Sequence, residues 1–242
     1  MIECVALSDM HGTLPKIEKP FDLMLIAGDS VDLYSQRYPK LSEDWYLGEF
    51  LDWVNKLPFK SDESKVILIA GNHDVGLERM CKETKEMFLI ALDSRSNHRV
   101  IYLENEQYFF KCKDEVISIF GTPWCKIFGN WGFMADPETL KEKYSKIPEE
   151  LDILLTHDAP YGTSDQCYGW IAQGRTPYSI GNEQLRDAVI EKQPKLLLHG
   201  HLHTANHERE DLLNTQVYNV SILDEKYEET FKPFYFVWPL LD

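Results

Sequence analysis

Cysteine is sparse in this chain and shows no pairing. Cys4, Cys81, Cys112, Cys125 and Cys167 are scattered, odd in number and without a C-x-x-C spacing. That argues against a disulfide framework and against a cysteine zinc site. Long apolar runs are missing as well. The longest, such as residues 23–27 and 66–70, fall far short of the ~20 residues of a membrane-spanning helix, so no membrane association is expected. Basic charge is in deficit: 25 Lys and Arg face 40 Asp and Glu, a formal net charge of −15. Such a surface repels polyanions, and binding to polymeric nucleic acid is not expected. The opening residues Met1-Ile2-Glu3-Cys4-Val5 carry neither the basic stretch nor the apolar segment of a secretory signal. The expected setting is reducing and cytoplasmic. No internal repeat, low-complexity stretch or Gly/Ser linker divides the 242 residues, so a single domain over 1–242 is expected.

What the chain does have is an alternation of short apolar runs and helical periodicities. Residues 4–7, 22–27 and 66–70 are rich in Val, Ile and Leu, as strands buried on both faces are. Between the second and third, Leu47, Phe50, Leu51, Val54 and Leu57 recur at helical spacing, predicting a helix over 43–56 with Ser42 as its N-cap. A helix is also expected over 83–92, followed by strands at 100–103, 108–112 and 116–120 spaced like a meander. The second half predicts helices at 137–144 and 183–191 and buried strands at 153–156 and 196–199. Two tail strands, 217–222 and 234–237, would be joined by a charged turn holding Asp224, Glu225 and Lys226. A mixed series of this kind points to packed sheets with helices outside, an α/β class.

Five polar motifs each follow an apolar run: Asp9-Met10-His11, Gly28-Asp29, Gly71-Asn72-His73-Asp74, Thr156-His157 and Gly200-His201-Leu202-His203. They hold five of the eight histidines. In open α/β sheets, ligand sites gather beyond the carboxyl ends of strands, so motifs distant in sequence can share one crevice. Asp, Asn and His together form the mixed nitrogen and oxygen donor set of first-row divalent metals: Mn, Fe, Zn, Co or Ni. Singly, D-x-H and Gly-Asp are common turns. Gly71-Asn72-His73-Asp74 and Gly200-His201-Leu202-His203 are more specific, placing amide, imidazole and carboxylate in succession or two histidines two apart. His199 and His207 read as bystanders, one hydrogen-bonded at a strand end and one solvated, and His98 as a loop histidine.

In kind and order these motifs resemble the calcineurin-like metallophosphoesterase superfamily. The resemblance spans Asp9 to His203 and implies a four-layer α/β/β/α sandwich of two mixed sheets flanked by helices. It also implies two divalent metal ions, with Mn favoured. Asp9, His11 and His203 would hold the first metal, Asn72, His157 and His201 the second, and Asp29 would bridge them. His73 would be the general acid, oriented by Asp74, and a hydroxide held by the metals would attack phosphorus in line. Asn72 and His73 would also touch the substrate.

Departures narrow the branch. Gly28-Asp29-Ser30-Val31-Asp32 continues as Leu33-Tyr34, without the Arg-Gly of protein Ser/Thr phosphatases, and Asp32 stands where purple acid phosphatases place a tyrosine ligand. Gly121-Thr122-Pro123-Trp124-Cys125, Phe128-Gly129-Asn130-Trp131-Gly132-Phe133 and Leu154-Leu155-Thr156-His157 are more similar to the MPPED-type, class III phosphodiesterase-like branch. Asp158-Ala159-Pro160 departs from that branch's usual Gly-Pro-Pro. The implied reaction is hydrolysis of a small phosphodiester, with nucleotides among the candidates. Two metals would locally reverse the acidic field and admit such an anion. Trp124 and Trp131, with Phe128 and Tyr161, either form an aromatic wall that stacks a base or pack as core. A phosphomonoesterase of the same fold is the nearest rival, although Lys126 and Arg175 offer no obvious clamp for a dianion. A non-catalytic scaffold is the other.

Overall fold

The structure, a computed structural model, describes residues 1–167 and 178–240. The chain opens with β1 (Ile2–Leu7), β2 (Leu23–Ala27), β3 (Lys65–Ile69) and β4 (Val100–Tyr102), which pair in parallel in that order. Between β2 and β3, α1 (Pro39–Trp45) runs into a π-helical segment (Tyr46–Phe50) and then α2 (Leu51–Val54). Helices α3 (Val75–Glu78) and α4 (Lys82–Arg95) follow β3.

A hairpin of β5 (Glu106–Cys112) and β6 (Glu115–Thr122) begins the second sheet. After a short parallel ribbon of β7 (Cys125–Lys126) and β8 (Met134–Ala135) comes α5 (Pro137–Tyr144). Its N-cap Asp136 accepts a hydrogen bond from Thr139 N at 3.0 Å. Then come β9 (Ile153–Thr156), a second ribbon of β10 (Gln166–Cys167) and β11 (Tyr178–Ser179), and α6 (Glu183–Lys192), capped by Asn182. The second sheet is completed by β12 (Leu196–His199), β13 (Glu210–Leu212) and β14 (Thr215–Asn219). Finally β15 (Phe234–Trp238) returns to the first sheet, antiparallel to β1. The strand orders are β15-β1-β2-β3-β4 and β13-β14-β12-β9-β6-β5.

Three apolar layers hold this arrangement together. Successive side chains of a strand point to opposite faces, so Leu23 and Leu25 enter the layer between the sheets while Met24 and Ile26 face the helices. Between the sheets, Ile67 and Ile69 meet Ile119, Leu155 and Leu198. Outside the first sheet, Val66 and Leu68 pack on Tyr46, Phe50 and Phe88. Outside the second, Leu154 and Leu197 pack on Leu140, Leu185 and Val189. The result is the expected four-layer α/β/β/α sandwich of two mixed sheets.

Two local expectations are corrected, the Ser42 cap and the meander, and two others gain detail. Ser42 is not an N-cap: the helix starts at Pro39, which has no N–H to satisfy, and buried Ser42 turns its hydroxyl to Ser35 O at 3.0 Å. The helix expected over 43–56 forms as one continuous helical run from Pro39 to Val54, with π-helical hydrogen bonding over Tyr46–Phe50. The expected meander does not form, because β4 belongs to the first sheet and β5 and β6 to the second. The chain crosses between sheets there, with Leu103 N bound to Leu68 O and Asn105 N to Gly121 O. Both expected tail strands form, as Thr215–Asn219 and Phe234–Trp238, and each joins a different sheet.

Ile67 is fully buried at the centre of β3 between the sheets. Ile67→Ala is expected to lower unfolding free energy by about 2–5 kcal/mol, the range for truncating a core Ile, as read from urea denaturation.

Candidate metal centre

All five motifs sit in loops that leave the carboxyl ends of β1, β2, β3, β9 and β12. The loops after β1 and β2 remain laced together, with Asp9 N bound to Gly28 O at 3.1 Å and His11 N to Asp29 O at 3.0 Å. Beside them an isolated parallel bridge joins Ser8 to Ser221. Four motif residues take the left-handed backbone that non-glycine residues rarely adopt: Asp9 (φ 54°), His11 (44°), Asp29 (51°) and His201 (69°). Such conformations persist where the surroundings over-determine them, and they cluster at functional sites. Two motif glycines stand directly against the buried carboxylates. A Cβ on Gly71 would overlap Asp29 Oδ1 and the His157 ring, and one on Gly200 would overlap Asp9 Oδ2 and Ser8.

The donor atoms converge. Asp29 Oδ2 lies 3.2 Å from His157 Nε2 and 3.8 Å from His11 Nε2. Its other oxygen accepts from His73 N at 2.7 Å. Asn72 Oδ1 is 2.9 Å from His157 Nε2. His203 Nε2 is 3.3 Å from Asp9 Oδ1 and 3.4 Å from His11 Nε2. Asp9 is held by His201 N at 2.9 Å and by the Ser221 hydroxyl at 2.8 Å. Among the described residues, four overlapping groups could each hold an ion, the donor atoms of each lying within 4.8 Å of one another: Asp9, His11 and His203; Asp9, Asp29 and His157; His11, Asp29 and His73; and Cys125, His157 and His201.

The hydrogen-bond pattern fits a cation. His157 Nδ1–H donates to Ala27 O at 2.8 Å, and His203 Nδ1–H to Asp224 O at 2.9 Å. In a neutral imidazole so fixed, Nε2 carries a lone pair. Those lone pairs face the oxygens of Asn72, Asp29 and Asp9, an arrangement that needs either a proton or a metal between them. Fixing one ring nitrogen on a carbonyl so that the other is presented to a metal is a common device.

Electrostatics agree. Burial alone would raise the Asp29 carboxyl, but the His157, His73 and His11 imidazoles hold it well below the usual carboxylate range. Asp9 is likewise lowered against burial, chiefly by the hydrogen bond and charge of His203. Burial opposes the charged form of His157, yet the Asp29 carboxylate lifts it to about 10. His203 rises to about 9 against burial through its hydrogen bond and charge interaction with Asp9. His11 and His201 are pushed down to about 4 by burial. Two imidazoles are thus poised to bind protons and two are poised neutral.

His73 reaches the site, but its expected partner does not. The Asp74 carboxylate is buried away from the ring, accepting from Gly71 N at 2.8 Å, Val31 N at 3.3 Å and Tyr46 Oη at 2.8 Å. Burial, with the Asp29 charge added, raises it to about 6. Asp74 therefore ties the second and third motif loops to the π-helical segment. His73 Nδ1 instead meets Gln36 Oε1 at 2.5 Å. Trp131 stacks on the His73 ring with centroids 4.1 Å apart. Trp124 lies elsewhere, with the Lys143 ammonium over its ring at 3.4 Å and Phe133 edge-on.

A cavity of about 570 Å³ opens over the donors, lined by Asp29, Asn72, His73, His201 and His203 with Phe128, Glu225 and Tyr227. Neither tryptophan lines it, and Tyr161 lines a different cavity. Lys126 is committed to Gly181 O at 2.9 Å, and Arg175 falls outside the described residues. His199 is buried with Nδ1 against Gly200 O. His207 is stacked on Phe231 rather than solvated, while His98 pairs with Asp93 in an exposed loop.

Gln36, Tyr46, Ser221 and Tyr227 were not found by motif reading. Gln36 stands in the loop of the second motif and Tyr227 just beyond the charged turn, the one sequence signal either residue had. Asp29 and Asp9 raise His157 and His203 above neutrality, so both are expected to carry protons at pH 7 in the metal-free protein. Metal binding must displace those protons. Adding Zn²⁺ or Mn²⁺ to metal-stripped protein at pH 7 in weak buffer is expected to acidify the solution. Apparent affinity should rise with pH until both are deprotonated. Indicator-dye titration checks both.

The sequence profile of the calcineurin-like phosphoesterase family matches residues 4–205. Human metallophosphoesterase domain-containing protein 1 is 29% identical over 242 residues, covering 95% of this chain and 68% of that protein. A UPF0046 protein of Caenorhabditis elegans is 27% identical, covering 99% of this chain and 82% of its own length. Among solved structures, the TT1561 protein of Thermus thermophilus superposes with a TM-score of 0.60 at 10% identity, covering 90% of this chain and 88% of that one. Phosphopantetheinyl hydrolase (PptH) of Mycobacterium tuberculosis gives 0.51 at 12% identity, covering 93% and 90%; at such identities the likeness is one of fold. No helix among the described residues is long and apolar enough to cross a membrane. With most of its length matched by the family profile and an MPPED-like relative aligned over nearly all of it, the chain belongs to the calcineurin-like phosphoesterase family.

Proposed function

We propose that this protein is a dinuclear-metal phosphodiesterase acting on a small substrate, within one domain spanning residues 1–242. The observation that carries the reading is Asp29: one buried carboxylate shared by His157 on one side and His11 on the other. In this reading Asp9, His11 and His203 would hold one divalent ion, Asn72, His157 and His201 would hold a second, and Asp29 would be shared between them, with Mn favoured. Two such ions supply Lewis-acid polarisation of the phosphoryl group and activation of a water.

The chain's own residues do the rest. Asn72 and His73 face the cavity beside the donors, where the phosphoryl oxygens of a bound ester would lie. His73 donates a proton from its ring to the leaving oxygen. Phe128, beside His201 at a centroid distance of 5.0 Å, and Tyr227, edge-on to His11 at 4.9 Å, give the cavity apolar walls. Those two, rather than Trp124 and Trp131, are the residues that would meet a nucleobase. No Lys or Arg occurs among the described lining residues, which supports a monoanionic diester over a dianionic monoester. A cavity of about 570 Å³ is ample for a nucleotide-sized ligand.

The test is a metal-stripped protein resupplied with Mn²⁺ and assayed on a bis-aryl phosphate, the matching aryl monophosphate and a cyclic nucleotide. Metal-restored cleavage with higher kcat/KM on the diesters is expected; preference for the monoester overturns the diester assignment. On the cyclic nucleotide, whose leaving group is an alkoxide, His73→Ala should lose about 10²–10⁴-fold, the usual contribution of general acid catalysis. An Asp29→Asn protein is expected to lose metal and rate together. Retention of two metals and full activity would remove the bridging role.

A further inference from the structure

We propose that Gln36 is the positioning residue that selects which imidazole nitrogen of His73 faces the substrate. This inference rests on the reading of His73 as proton donor. The Gln36 side-chain N–H donates to Leu33 O at 2.6 Å, which fixes the amide and leaves its Oε1 turned to the His73 ring. An oxygen at 2.5 Å from Nδ1 can be met only by an Nδ1–H. With Nδ1 committed, Nε2 is the ring nitrogen left for a ligand in the cavity that His73 lines. When imidazolium Nε2–H protonates the leaving alkoxide as the P–O bond breaks, the ring is left as the neutral Nδ1–H tautomer. That is the tautomer Gln36 stabilises.

The surroundings keep the ring from turning over. Trp131 covers one face at 4.1 Å, and His11 meets the ring edge-on at 4.7 Å. Trp131 is itself clamped: the Arg37 guanidinium lies over it at 4.3 Å while Arg37 Nη1 donates to Asn130 O at 3.1 Å. Gly132 N, next in sequence, donates to Asn72 O at 2.9 Å and joins this loop to the third motif. The backbone of Gln36 is equally tied. Its N–H donates to Asp32 O, its carbonyl accepts from Gly76 N, and Asp32 Oδ1 caps Tyr34 N and Ser35 N in the same turn. Asp32, three residues after the proposed bridge, thus builds the turn that delivers Gln36. Trp131 and Arg37 on this view serve the proton donor and leave base recognition to other side chains.

The experiment compares wild type, Gln36→Leu and Gln36→Glu, the last retaining an acceptor for Nδ1–H. The tautomer of His73 is read by NMR of ¹⁵N-histidine-labelled protein loaded with diamagnetic Zn²⁺, its signal assigned with His73→Ala. Wild type and Gln36→Glu should show Nδ1–H, and Gln36→Leu a loss of that tautomer. Kinetics are read on two diesters, one with an alkoxide and one with a nitrophenolate leaving group, which needs little protonation. In Gln36→Leu, kcat on the alkoxide substrate should fall about 10–100-fold, as for loss of an orienting hydrogen bond, with KM kept. On the nitrophenolate substrate it should change less than about threefold. Gln36→Glu should restore most of the loss. An unchanged tautomer in Gln36→Leu, or an equal loss on both leaving groups, overturns the inference. If wild type cleaves neither diester, the diesterase reading fails, and the NMR comparison alone judges the role of Gln36.

Discussion

A carboxylate buried among imidazoles is the constraint around which this molecule is organised. Asp29 has almost no contact with solvent, and a charge in that position survives only if countercharge reaches it. The countercharge comes from another strand end, as His157 of the fourth motif loop, whose ring the carboxylate lifts to about 10, while His11 of the first loop stands 3.8 Å away and His73 N of the third donates to the other oxygen. Their approach demands backbone that side chains normally avoid, and Asp9, His11, Asp29 and His201 all take it. It also demands bare glycine at Gly71 and Gly200, where a methyl group would collide with the carboxylates. The neatly paired sheets beneath are what hold such loops in place.

Around that carboxylate a division of labour appears among groups that look alike in sequence. Asp29 faces the donors, whereas Asp74, a few residues beyond Asn72, spends both oxygens on backbone N–H groups and the Tyr46 hydroxyl. The π-helical segment matters here. It sets buried Tyr46 under the third motif loop, and π-bulges inside α-helices often mark functional sites. Histidines divide likewise. His157 and His203 use Nδ1 on backbone carbonyls and free Nε2 for the site, while His207 spends its ring on Phe231. Overall acidity has little bearing on this chemistry. A chain of net charge −15 can admit a phosphate ester where bound divalent ions dominate the local field.

Much of the fold was legible in the chain because apolar runs report burial directly. Pro137–Tyr144, Ile153–Thr156 and Leu196–His199 form over the residues their patterns predict. Residues 100–120 differ from their pattern for a definite reason. Three short apolar strands in succession look like a meander whether they share a sheet or not, and Leu103 and Asn105 carry the chain across the sandwich without any marker in composition. Ser42 misled similarly: a serine before a helical periodicity reads as a cap, but Pro39 had already started the helix.

The motif residues and their attachment to strand ends follow from the sequence alone, because a short apolar run that gives way to Asp, Asn or His is a local pattern. Their convergence is a tertiary result, since residues as distant as Asp9 and His203 meet only after parallel strands set their carboxyl ends side by side. The same holds for every contact between loops. Asp74 adjoins His73 in the chain yet points away from it, and Gln36, from the preceding motif loop, takes its place against the ring. Sequence proximity governs which residues share a turn. Backbone direction within that turn, fixed by hydrogen bonds to other loops, decides which of them touch.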